Sequence, residues 1–117
     1  MITKDTLNDL EQQIMPYVQK RKLKSKEAHA LLDQYWSAIE QFFKQCNHIE
    51  EKALSNLSED TLDTLPVVPM NFKERYDYIL QRKYHFMGFK QMQTMKNELI
   101  KMNAAYLIRT KHQQKRS

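Results

Sequence analysis

Four histidines, one cysteine and fourteen carboxylates are the groups in this 117-residue chain from which metal or nucleophilic chemistry could be built. A tetrahedral metal site draws its ligands from closely spaced pairs of Cys and His. His29, His48, His85 and His112 are instead 19, 37 and 27 residues apart, and Cys46 has no second cysteine. No metal is expected. Cys46 falls on an apolar helical line, where burial keeps a thiol protonated and inert. No serine stands in a GxSxG elbow. The adjacent pairs Glu50–Glu51 and Glu59–Asp60 point about 100° apart on a helix and read as helix-end and surface charges. The single glycine, Gly88, excludes the P-loop and the GxGxxG turn, which need several glycines to bring backbone against phosphate. The chain is therefore expected to be no enzyme and to carry no cofactor.

What remains is binding. Arg75 and Arg82 are seven residues apart, which sets both on one margin of the stripe Phe72, Tyr76 and Ile79. An arginine there forks onto a carboxylate of the helix it packs against, with Glu27, Asp33 and Glu40 as suitable partners, or onto a phosphate or a partner's carboxylate. On a last helix continuous from Tyr84, the side chains of His85, Lys96 and Asn103 fall within about 20° of one another, inside the apolar arc. Two readings stay open. Either Lys96 snorkels, Asn103 caps a neighbouring backbone group and His85 sits at the helix start, or the three meet Asp or Glu of the central region in a small polar pocket.

Charge is unevenly placed along the chain. The net charge is +5 with a pI near 9.3. Residues 25–60 carry three basic and seven acidic side chains, whereas residues 72–117 carry eleven basic and three acidic. An acidic helix docking on a basic one inside the fold would use this asymmetry, and so would a basic half that meets a polyanion. Lys90, Lys101 and Arg109 are exposed members of that half. Together with Arg75, Arg82, His85 and Lys96 they are the candidate contacts to a partner or to phosphate. A helix-turn-helix centred on Gly88 fails, because its apolar positions would fall on Lys83, Thr94 and Asn97 and its small position on Tyr84.

The elements that position these residues follow from hydrophobic spacing. Ala28, Leu31, Leu32, Tyr35, Trp36, Ile39, Phe42, Phe43 and Cys46 share an arc of roughly 140°, the signature of a helix with one face in a core, and Ser25 is its N-cap. Leu7, Leu10, Ile14 and Val18 define an earlier helix that Pro16 should kink or restart. Lys20, Arg21, Lys22 and Lys24 form a basic exit from it. Residues 47–71 are less regular: Asn47 can cap a short helix through Ile49, Ala53, Leu54 and Leu57, and Ser58 a further turn to Leu65. Pro66 and Pro69 force Val67 and Val68 toward extended backbone, a strap with its valines on the core. Asn71 and Glu74 have capping-box spacing before a helix to about residue 83. The last helix carries Gly88, Met92, Met95, Leu99, Met102 and Tyr106 on a heptad-like seam widened by Phe89, Ile100 and Leu107. Beyond Arg109 the apolar period stops and the chain should fray. Its methionines fill a core or line a groove for a partner helix.

The stretch Pro69-Met70-Asn71-Phe72-Lys73-Glu74-Arg75, followed by Ile79, Arg82, His85-Phe86, Phe89, Gln91-Met92, Glu98 and Lys101, resembles the C-terminal half of YpoC-like proteins. These are small proteins of low-GC Gram-positive bacteria. A proline follows the arginine in the family pattern, and Lys83 stands there in this chain. The resemblance implies no established activity, cofactor or site.

Taken together, the residues predict an all-α fold, a small helical bundle of four to five helices with a proline-containing crossover strap. Residues 1–109 form a single domain, and 110–117 a flexible basic tail. A single cysteine, no signal peptide and no apolar run of about 18 residues point to a cytoplasmic chain without membrane contact. The expected function is a small helical protein-interaction module with a protein partner. The alternative is a nucleic-acid accessory protein touching the phosphate backbone through the basic C-terminal helices and tail. Self-association is left open.

Overall fold

Thr3 opens the first helix. Its hydroxyl accepts from Thr6 N at 3.2 Å, and Thr3 N donates in return to Thr6 Oγ1. The helix that follows, α1 (Lys4–Gln19), buries Leu7 and Ile14 and half-buries Leu10 and Val18. Pro16 does not restart it. Only the Gln12 carbonyl loses its amide partner so close to the end, and the helix runs one more turn. A Schellman turn closes it, with Arg21 left-handed at φ 56° and Lys22 N donating to Tyr17 O at 2.7 Å.

In the computed structural model the backbone is described for residues 1–50 and 54–115, and side chains within those ranges as far as Lys111. Among the described residues the chain forms five α-helices, one 3₁₀ turn and no strand. The long second helix, α2 (Lys26–Asn47), starts on Ser25, whose hydroxyl accepts from Ala28 N at 3.2 Å. It carries the apolar arc, with Leu32, Tyr35, Trp36, Ile39 and Phe43 nearly or wholly sequestered. A second Schellman turn ends it at His48, φ 56°.

The irregular middle differs from the sequence expectation. Asn47 caps no short helix; it is the last residue of α2, buried, and its amide donates to Phe43 O and Val67 O while its oxygen accepts from Val67 N at 2.8 Å. A side chain with one acceptor and two donors satisfies there three backbone groups that burial would otherwise orphan. Residues 54–56 form the 3₁₀ turn (Leu54–Asn56), while Glu51 and Ala53 lie outside the described residues. Ser58 caps the short α3 (Glu59–Thr64) through Thr61 N. In the non-helical segment after it Val67 is fully buried and Met70 is 81% exposed.

Asn71 precedes α4 (Phe72–Gln81) without a side-chain cap bond. The capping box is replaced by a left-handed backbone at φ 55°, a conformation asparagine tolerates, which turns the chain sharply into the helix. Phe72, Tyr76 and Ile79 are buried, with Phe72 stacked on Phe43 at 4.5 Å.

The last helix, α5 (Phe86–Lys115), is longer than its apolar pattern. Met92, Met95 and Leu99 are buried, Met102 and Tyr106 partly so, and Met87 and Leu107 are exposed. The helical backbone runs on to Lys115: no Gly or Pro interrupts this stretch, and Thr110 Oγ1 donates to Tyr106 O at 2.8 Å. Arg116 and Ser117 lie outside the described residues.

Packing follows from the faces. α1 and α2 form an antiparallel pair whose far end is fixed by Ile2 and Gln45, backbone to amide in both directions at 2.7 and 2.8 Å. The α4–α5 hairpin lies against it. Gly88 sets the tightness of that hairpin, since a Cβ there would sit 1.8 Å from Arg82 O. A 30-residue helix is about 45 Å long, and α5 stretches the molecule to 54 × 28 × 21 Å. The radius of gyration is 15.3 Å, against about 13 Å for a compact chain of this length.

Candidate functional site

The seven candidate residues do not form one site. Arg75 is an internal ion pair, but with Glu98 of α5 at 2.6 Å and not with Glu27, Asp33 or Glu40. Its guanidinium also donates to Met70 O and, at 3.4 Å, to Gln91 Oε1. Arg82 is exposed, its guanidinium 4.5 Å from the Tyr78 ring centroid. Lys90, Lys101 and Arg109 are exposed along α5. Lys90 and Lys101 lie about 16 Å apart along the helix axis, too far to grip one phosphate. His85 is exposed at the α4–α5 turn, where its carbonyl accepts from Phe89 N.

Lys96 is different. It does not snorkel; its ammonium is buried against Glu11 Oε1 at 2.9 Å and Asn8 Oδ1 at 3.0 Å. Tyr35 OH donates to the same Glu11 oxygen at 2.8 Å. The partner comes from the first helix and not from the central region, and neither His85 nor Asn103 shares in it. The cluster ties α1, α2 and α5 together. Burial, then the Glu11 charge and hydrogen bond, push the Tyr35 hydroxyl far above its ordinary range. Each of its polar side chains has a partner within the cluster, so its chemistry is that of a satisfied core network.

The concave, cationic feature of the molecule lies at one end of the bundle, where the α1–α2 and α4–α5 loops meet. Leu23 turns inward and anchors the first loop, which leaves Lys20, Arg21, Lys22, Lys24 and Lys26 exposed around it with no carboxylate among them. Tyr84 is held in the second loop by stacking on His29 at 3.9 Å and by donating to Asp33 Oδ1 at 2.8 Å. Lys83 reaches the same oxygen at 3.0 Å. Partial burial works against the Asp33 charge, but the Lys83 and Tyr84 hydrogen bonds outweigh it and hold the carboxyl below its usual range. Between the loops is a cleft of about 540 Å³ walled by Val18, Leu23, Tyr84 and Phe86, with exposed Arg21, Lys24 and His85. Phe86 and Met87 are 50% and 55% exposed beside it.

Of this cleft the sequence singled out His85 alone. Its signal was the run of four cations from Lys20 to Lys24 broken only by Leu23; what faced that run could not be read from spacing. Chemically the cleft can take an apolar side chain and neutralise acidic groups around it. Among the described residues no three of His, Cys, Asp and Glu cluster as metal ligands, and no helix is long and apolar enough to cross a membrane.

No curated protein and no solved structure matches the chain. The family model of the YpoC-like protein matches residues 3–111, which takes in the N-terminal helices that carried no recognisable motif as well as the C-terminal hairpin. With that match over nearly its whole length, the chain belongs to the YpoC-like protein family.

Proposed function

We propose that this chain is a small cytoplasmic helical protein-interaction module that binds without catalysing, and that the basic cleft is its docking site for an acidic, apolar-tipped segment of a partner protein. The observation that carries the reading is the coincidence of an apolar hollow with two cations that have no ion-pair partner among the described residues, Arg21 and Lys24, and half-exposed Phe86. An apolar anchor in a hollow supplies most of the affinity of such contacts, and surrounding charges set partner choice and encounter rate. The cations of α5 support the nucleic-acid reading less well, because Lys96 is consumed in the core and Lys90, Lys101 and Arg109 are dispersed.

Fluorescence anisotropy with two probes of equal charge tests this. One is an acidic amphipathic peptide with leucine anchors, the other single-stranded DNA. The cleft should bind the peptide in preference, and Arg21→Glu with Lys24→Glu should abolish it. Stronger binding of DNA with a steep salt dependence would replace this reading with the nucleic-acid one.

A further inference from the structure

At the end of the bundle opposite the cleft, two surfaces lie without a partner among the described residues. One is the distal half of α5. It outruns the other helices, leaves Leu107 and Ile108 57% and 59% exposed, and carries exposed Lys101, Arg109 and Lys111. On its near side Met102, Ala105, Ile108 and Arg109 line a shallow hollow together with Pro66. The other surface is a groove of about 450 Å³ between α3 and the start of α4, bordered by Glu59, Asp63 and Glu74 and crossed by one cation, Lys73. None of those three carboxylates is in an ion pair among the described residues.

The helix end is apolar and basic; the groove is mainly polar and acidic at its border, with half-buried Leu65 and Val68 in its lining and Leu62 buried beneath. A continuous α-helix cannot fold back into a groove of its own chain. We propose that the distal half of α5 docks in the α3–α4 groove of a second copy, and that the reciprocal contact closes a twofold dimer.

A twofold axis needs knob and hole on one side of the molecule, so that each copy gives and receives at once. Pro66 borders the hollow beside α5 while its chain neighbour Leu65 lines the groove, so the two surfaces are adjacent. The contact is made twice, which moves the buried surface toward the roughly 1,200 Å² of a stable interface. Opposite charges meet in each half, and the exposed Leu107 and Ile108 leave water. The cleft at the other end stays free, so this pairing stands or falls independently of the proposed function.

Sedimentation equilibrium of the full chain over a concentration series reads it directly. The wild type should reach twice its mass. Leu107→Asp with Ile108→Asp should stay monomeric with unchanged helical circular dichroism. Glu59→Lys with Asp63→Lys, and separately Arg109→Glu with Lys111→Glu, should each weaken self-association about tenfold or more. In an equimolar mixture of those two double variants both contacts are again complementary, and the dimer should return. The proposal is overturned if the wild type stays monomeric to its solubility limit, if the charge reversals leave a dimer intact, or if the mixture fails to pair. A dimer abolished instead by Arg21→Glu with Lys24→Glu would also overturn it, by placing the contact at the cleft.

Discussion

Lys96 on α5 and Glu11 on α1 meet at 2.9 Å with side chains 4% and 15% exposed, 85 residues apart in sequence. Tyr35 of α2 and Asn8 of α1 complete the set at 2.8 and 3.0 Å. A buried charge is tolerable only with its partners in place, so the cluster fixes which helices face each other more than it adds net stability. Lys96→Met should cost about 3 kcal/mol in urea melts, because Glu11 is left sequestered with Tyr35 alone. Lys96→Met combined with Glu11→Leu should cost less than the two single changes added together. Strict additivity would show that the pair is not coupled.

Alkaline pH should unfold this protein early. Burial raises Cys46 from 9.0 to about 11 and, with Glu40 beside it, Tyr76 from 10.0 to about 12; Tyr35 is pushed higher still. Each group keeps its proton in the folded state after the unfolded chain has lost it. The stability is therefore complete below pH 9 and falls as pH rises, first through Cys46 and above pH 10 through the tyrosines, at about 1.4 kcal/mol per pH unit per proton. Tyr35→Phe should lower the slope above pH 10 by one proton. Urea midpoints measured from pH 8 to 11 would reveal a flat profile if these groups were solvated.

Gly88→Ala has the opposite sign from its usual effect. In an exposed helix interior alanine gains about 1 kcal/mol over glycine. Here the new methyl would lie 1.8 Å from Arg82 O and 2.5 Å from Arg82 C, both backbone atoms that cannot swing aside. A net loss of about 2 kcal/mol or more is expected, with Phe86 displaced and peptide binding at the cleft weakened. An unchanged or raised melting temperature would show that the α4–α5 turn opens freely.

Asn47→Ala should cost about 3 kcal/mol, since it strands both the N–H and the C=O of buried Val67. Asn47→Asp keeps an acceptor for Val67 N but sets a carboxylate against two carbonyl oxygens. It should therefore destabilise more at pH 7 than at pH 4. Thermal melts at both pH values check the pair.

The helices were legible because burial imposes a period. The arc from Ala28 to Cys46, the Ser25 and Ser58 caps, and the α5 seam as far as Leu99 all appear as read. Periodicity reports which side of a helix is covered, but not by what. So the spacing shows that Arg75 wants a carboxylate but not that it is Glu98, and it sets Lys96 on the apolar arc without pointing to Glu11, four helices earlier in the chain. Asn47 and Asn71 both read as caps, because asparagine's capping, clamping and left-handed roles leave the same trace in one sequence. The cleft needed two loops brought side by side, and no local pattern in either announces the other.

The central claim is that the α1–α2 and α4–α5 loops form the protein's recognition surface. Its most direct measurement is site-specific photocrosslinking in living cells from a benzophenone side chain at exposed His85, compared with the same probe at exposed Gln41 on the flank of α2. The account predicts a discrete protein adduct from position 85, absent from position 41 and lost when Arg21 and Lys24 are changed to glutamate. Equal adducts from both positions, or an adduct at 85 indifferent to those changes, would contradict it.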